Sequence, residues 1–291
     1  MGMNAPLYLL LLSLTAVHLN AADRSGGAAA VDLSSHSALR GGTLVREKRE
    51  VRVQEGKGRM QQSNSASGFL IRFVQRVNLV RRLLNSETEE VQVREMACEL
   101  TNYTGTAPPP AEQPSPLVGK TLRLRKSDGK WKAAMIGGKA TVEQLKFLND
   151  LAFTRLLLEL PEACLLNQSR KPGETWKVSI NESSGKDYGA VVAKDIECTL
   201  AAVDQRPDGP LATVHLVGNF SMERPMNFLS RIEVAFDVTL VRRLSDMLDV
   251  DTKITGHFKN IGLVNDRDGK ETQLTLELPY TLVRTQAVER K

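Results

Sequence analysis

The chain has 291 residues, 41% hydrophobic and 25% charged, with 39 Lys and Arg against 34 Asp and Glu. That balance excludes a wholly disordered, collagen-like or multi-span membrane chain, and a net charge of +5 spread along this length argues only weakly for polyanion binding. Aromatic residues make up 5%, which leaves stacking platforms for single-stranded nucleic acid sparse, so no nucleic-acid partner is expected.

The first element is an apolar run, Leu7-Tyr8-Leu9-Leu10-Leu11-Leu12-Ser13-Leu14, followed by the small residues of Asn20-Ala21-Ala22-Asp23. This pattern reads as a signal peptide over residues 1–22, cleaved after Ala21 or Ala22. The run is short of the ~20 residues that span a bilayer, so no stable membrane span is expected after cleavage. No cysteine stands at the junction to take a lipid, and the mature protein is expected to be soluble, periplasmic or secreted. From Asp23 to Gly42 the chain is rich in Ala, Gly and Ser without apolar periodicity and reads as a flexible leader. A single extended β-rich domain is expected over residues 43–288.

From Thr43 to Gln61 the sequence alternates, with Val45, Val51 and Val53 on one parity and charges crowding the other, the period of a half-exposed strand. Over Phe69 to Leu84 helical and strand periods compete. The turn-like Asn85-Ser86-Glu87-Thr88 and the renewed alternation to Tyr103 favour two strands closing as a hairpin. Thr104 to Pro116, with Pro108-Pro109-Pro110, reads as an exposed stiff loop. Leu122 and Leu124 before Asp128-Gly129, with Trp131 after it, predict a second hairpin with Trp131 in the core.

A helix is predicted from Val142 to about Leu158, with Thr141 as N-cap, Gln144 at the capping-box position and Pro161 as its end. Its apolar stripe either packs on the protein's own sheet or lids a cavity between helix and sheet; Phe147, Leu151 and Leu158 are the candidate lining residues of such a cavity. Strands are expected over 175–180, 190–203, 211–220, 230–242, 252–264 and 272–284, separated by turns such as Arg206-Pro207-Asp208-Gly209-Pro210. The fold class expected is α+β, mainly β: a large curved antiparallel meander with one principal amphipathic helix packed on it.

Export would expose Cys98, Cys164 and Cys198 to oxidation. Cys98 and Cys198 both fall in strand-like segments and are the candidate disulfide, the alternative being buried free thiols. No cysteine has a CxxC neighbour or a nearby His. No Gly-x-Ser-x-Gly, His-Glu-x-x-His or Gly-rich phosphate loop occurs, so no catalytic residue, metal or cofactor is assigned. His215 and His257 read as structural strand residues, and Asp246, Asp249 and Asp251 as a solvated turn without the spacing of a calcium loop. Sequons at Asn102, Asn167, Asn181 and Asn219 matter only in a host that glycosylates exported proteins.

Leu117-Val118-Gly119-Lys120-Thr121-Leu122-Arg123-Leu124, Asp128-Gly129-Lys130-Trp131 and Lys171-Pro172-Gly173-Glu174-Thr175-Trp176 resemble a pattern of uncharacterised exported β-rich proteins of environmental bacteria. The resemblance runs from the first motif to the C-terminus and implies an exported β-rich family of unknown function. Pro172-Gly173 has its own physical account, proline presetting a turn and glycine accepting positive φ. The function expected is non-enzymatic binding of an apolar ligand or an envelope protein. The alternative is a structural or protein-interaction module of the cell envelope.

Overall fold

The computed structural model describes residues 29–33, 39, 41–62, 65–106, 113–127, 130–165, 168–183, 190–225, 229–265 and 271–289. The expected signal peptide lies outside them, as do Asp128, Gly129 and the three consecutive prolines. In chain order the elements are β1 (Val31–Asp32), β2 (Leu44–Gln62), β3 (Ser65–Asn85), β4 (Thr88–Tyr103), β5 (Gln113–Pro114), β6 (Thr121–Ser127), β7 (Lys130–Met135), α1 (Val142–Leu165) and β8 (Ser169–Arg170). The second half holds β9 (Thr175–Ser183), β10 (Ala190–Asp204), β11 (Leu211–Pro225), β12 (Leu229–Arg243), β13 (Leu248–Asn265) and β14 (Glu271–Val288).

The protein is mainly β, and its large sheet is antiparallel, in the order β7, β6, β4, β3, β2, β14, β13, β12, β11, β10, β9, with β5 added beside β4. Phe69 to Leu84 lies within β3, so the competing periods resolve to strand. Hydrophobic alternation is carried by one face: Ile71, Phe73, Val77 and Leu79 of β3 are buried, as are Leu276, Leu278, Tyr280 and Leu282 of β14. Long strands of this kind twist and bend, and register shifts at Val53/Gly56, Lys194/Glu197 and Glu277/Thr281 mark where they do so. Pro279 sits inside the last of these, so its missing N–H falls where the ladder to β2 is already interrupted.

Curvature brings both edge strands toward one element. α1 packs on β7 and also touches β9, although no ladder joins β7 to β9 among the described residues. The N-terminal half of α1 places Leu148 and Leu151 in one apolar cluster with Val77, Val93, Leu122 and Trp131. Its C-terminal half places Leu158, Cys164 and Leu165 in the larger cluster with residues of β2, β3 and β9 to β14.

Several expectations are corrected. The expected single amphipathic helix is not supported: Val142 is 77% and Leu145 47% exposed, so no clean apolar stripe runs the length of α1. Nor does Pro161 end it. The helix continues to Leu165, because burial of Pro161, Cys164 and Leu165 offsets the backbone bond that proline cannot donate. The leader is not featureless either: Val31–Asp32 pairs with Ser169–Arg170, and Leu33 is fully buried in the larger cluster. Within the Pro-rich segment, Gln113 and Pro114 pair with Cys98 and Ala97 of β4.

Local chemistry explains the helix start and the β9 entry. The capping box forms in both directions, with Gln144 N donating to Thr141 Oγ1 at 3.2 Å and Thr141 N to Gln144 Oε1 at 2.9 Å. In Lys171-Pro172-Gly173-Glu174, Gly173 has φ +86° and Glu174 N donates to Lys171 O at 3.0 Å, a proline–glycine turn. The turn delivers Trp176 beneath the helix end, where its Nε1 donates to Cys164 O at 3.3 Å.

Candidate functional site

The curved face of the sheet carries one lateral row whose register can be followed strand by strand: Trp176, Cys198, Leu216, Val238, Ile254, Leu282, Val51, Gln75 and Cys98. The row explains why the expected Cys98–Cys198 bridge is not formed. Seven ladder steps of ~4.8 Å separate the two along the sheet. All three cysteines are buried free thiols. The neighbour of Cys198 is Cys164 on α1, and hydrogen bonding to Cys198, together with burial, pushes the Cys164 thiol far up.

Against this row lies an apolar hollow. Pro161 and Cys164 of α1 form one wall, and Ile196, Leu216, Phe236 and Tyr280 are among the sheet residues of the other. The space between atoms is about 440 Å³ counted to its open mouth, but only about 30 Å³ admits a water-sized sphere. Burial pushes the Tyr280 phenol up, and its hydroxyl donates to Ala235 O at 3.3 Å. The ring fits because Gly256, its register partner on β13, offers no side chain.

Further along the inward face of the strands, the apolar row gives way to buried charge. Arg242 of β12, Asp249 and Thr252 of β13, Arg284 and Gln286 of β14, Glu47 and Arg49 of β2, Arg81 of β3 and Glu89 of β4 are each no more than 8% exposed. Arg242 Nε donates to Asp249 Oδ1 at 2.7 Å and its Nη1 to Leu33 O at 2.9 Å. Arg284 reaches Thr252 Oγ1 at 3.0 Å and Asp249 Oδ2 at 3.4 Å. Arg81 binds Glu89 through Nε and Nη2, and Glu47 at 3.2 Å. Arg49 holds Glu47 at 3.6 Å, and Gln286 donates to Glu47 at 2.8 Å. Burial alone would raise Glu47, but Arg81, Arg49, Arg284 and Gln286 together hold its carboxyl down to about 2. Burial pulls the Arg49 guanidinium down, opposed by Glu47 and reinforced by the like charges of Arg284 and Arg81.

Leu151 and Leu158 of α1 close over this band, lining a small hollow with Glu47, Arg49, Arg81 and Glu89 in which about 20 Å³ admits a water-sized sphere. These two candidate lining residues therefore line this mixed hollow, with Leu79, Val91 and Leu124, and not the apolar one. Phe147 is half-buried against the Trp131 cluster. No local motif in the sequence announces the charged band, and Asp249 is not part of a solvated turn. It is 4% exposed and clasped by two arginines. A signal was present, since Glu47 and Arg49 share the parity of Val45, Val51 and Val53. His215 and His257 do not converge: His215 Nδ1 meets Thr239 Oγ1 at 3.2 Å, while His257 is exposed on β13 opposite Ala235, four residues from Thr239 along β12. Among the described residues no group of His, Cys, Asp and Glu is arranged to hold a metal.

No protein-family profile matches the chain, and no curated protein matches it. Among solved structures it is similar to one titled for lipid–protein interactions in lipovitellin, at 10% identity and TM-score 0.38, over 87% of this chain and 26% of that one. It is also similar to OmpF of Salmonella typhi in complex with daunomycin, at 8% identity and TM-score 0.21, over 85% of this chain and 98% of that one. An outer membrane channel from Pseudomonas putida F1 aligns at 9% identity and TM-score 0.21, over 89% of this chain and 100% of that one. The chain thus spans about a quarter of the lipovitellin structure.

Proposed function

We propose that this chain is an exported, non-enzymatic protein that binds an apolar ligand between α1 and the curved face of its sheet. Membership of the exported β-rich family that its motifs resemble is part of the same proposal. The observation that carries it is the apolar hollow, walled by Pro161 and Cys164 on one side and by Ile196, Phe236 and Tyr280 on the other. Apolar walls with one hydroxyl at the edge suit a hydrocarbon better than a polar metabolite. α1 packs on two edge strands that are not paired to each other among the described residues, so the helix wall of the hollow is not part of the sheet's hydrogen-bond ladders. No helix among the described residues is long and apolar enough to cross a membrane.

The test is occupancy. The full chain is expressed with export to a bacterial periplasm, examined by native mass spectrometry, then extracted and its lipids analysed. A stoichiometric co-purifying apolar molecule is the expected result. An empty protein that takes up neither fatty acids nor phospholipids overturns the reading. A second reading, an interaction module of the cell envelope, is favoured by exposed Val142 and Leu145 at the start of α1. Exposed Val118 lies in the turn beside them, where Gln144 Nε2 donates to Pro116 O at 3.3 Å.

A further inference from the structure

We infer that Arg49 and Arg284 form a seat for a carboxylate, so that the ligand taken up under α1 is a long-chain carboxylic acid and not a neutral lipid. This rests on the binding reading above and names its ligand class. The two arginines are register partners on β2 and β14, at the centre of the sheet, and their residues are 5% and 2% exposed. The Nε of each is buried without a hydrogen-bond partner among the described residues. A buried guanidinium donor left unmatched is costly, and a planar two-oxygen anion is the group that matches its fork.

Unequal sharing of carboxylates produces this pair. Arg81 takes both Glu89 and Glu47, and Arg242 takes Asp249 at 2.7 Å. Glu162 of α1 adds its field to those same two arginines. Arg49 and Arg284 keep the longer ion pairs, 3.6 Å to Glu47 and 3.4 Å to Asp249. Arg49 lines the water-sized hollow under Leu151 and Leu158, beside Glu47 and Glu89, whose charges Arg81 already takes. Tyr280, at the apolar hollow, lies four residues from Arg284 along β14, a separation of ~13 Å. A charged head at the arginines and a tail toward Tyr280 would lie along one strand, passing the buried side chain of Leu282 on the same face.

The experiment titrates the delipidated full chain with dodecanoate and with 1-dodecanol by isothermal calorimetry. The expected result is dodecanoate bound at least about tenfold more tightly than the alcohol, the gain of a charge-assisted pair. Arg49→Gln and Arg284→Gln should each bring the acid-to-alcohol affinity ratio to about one. Equal affinity for acid and alcohol in the unmodified chain overturns the carboxylate seat and leaves the apolar-ligand reading standing. Binding of neither overturns both. A preference for the acid that survives both substitutions places the head elsewhere and overturns the seat. Circular dichroism of each variant identifies one that fails to fold, and the acid-to-alcohol ratio of the unmodified chain then decides alone.

Discussion

Glu47 is 3% exposed, and both of its oxygens are engaged by arginines. Its carboxyl stays ionised in the fold to about pH 2, against an ordinary value of 4.5. The unfolded chain therefore takes up the proton first as pH falls. The stability due to this group is fully present above about pH 4.5 and is lost on the way down to about 2, an amount on the order of 3 kcal/mol. Urea unfolding between pH 5 and about pH 2 should show that loss, and Glu47→Gln should lack this component. At neutral pH the same substitution should cost about 3–5 kcal/mol, because it leaves Arg49 and Arg81 buried with one fewer anion. A variant as stable as the parent at pH 7 would mean that the buried band is not an interdependent network.

At the scale of elements, two glycine–aromatic pairs join neighbouring strands of the large sheet beside its aliphatic contacts. Gly218 faces Phe236 across β11 and β12, and Gly256 faces Tyr280 across β13 and β14. A Cβ on Gly218 would stand 3.1 Å from both Ile196 and the Phe236 ring. On Gly256 it would overlap the Ala235 carbonyl oxygen and stand 2.8 Å from the Tyr280 ring. Backbone cannot yield as a flexible side chain can, so Gly256→Ala should destabilise by about 3 kcal/mol, measured by thermal or urea unfolding. Strands of this sheet were legible because alternation survives over many residues, as in Leu276, Leu278, Tyr280 and Leu282. The charged band was hidden by the same habit of reading. Arg284 follows Leu282, Arg242 follows Leu240 and Arg81 follows Leu79, each on the buried parity, but an alternation score treats each as an isolated exception. Only register across strands far apart in sequence shows that the exceptions meet. The end of α1 at Leu165 is hidden for a related reason, since the local cost of Pro161 is visible in sequence and its burial against the sheet is not.

The whole molecule is held by contacts that join its ends. β2 near the start pairs with β14 at the finish, which turns two successive meanders into one sheet, and no local pattern announces that ladder. Leu33 extends the same logic to the segment read as a leader. Its N–H donates to Gln168 O at 2.8 Å, its carbonyl accepts from Arg242 Nη1 at 2.9 Å, and its side chain is fully buried. The segment therefore ties the exit of α1 to the charged band, and composition could not reveal this because one leucine among Ala, Gly and Ser has no period. A chain beginning at Thr43 should lose this tie, exposing part of the larger cluster and leaving one Arg242 donor unmatched. The leucine burial is worth about 2–3 kcal/mol and the buried donor about 1–3, so the shortened chain should unfold at a clearly lower urea concentration than one beginning at Asp23. Leu33→Ala in the longer chain separates the two contributions, since it removes the side chain and keeps the carbonyl that Arg242 uses. If both chains unfold at the same midpoint, the domain begins at β2 and the contacts of Leu33 add nothing to its stability.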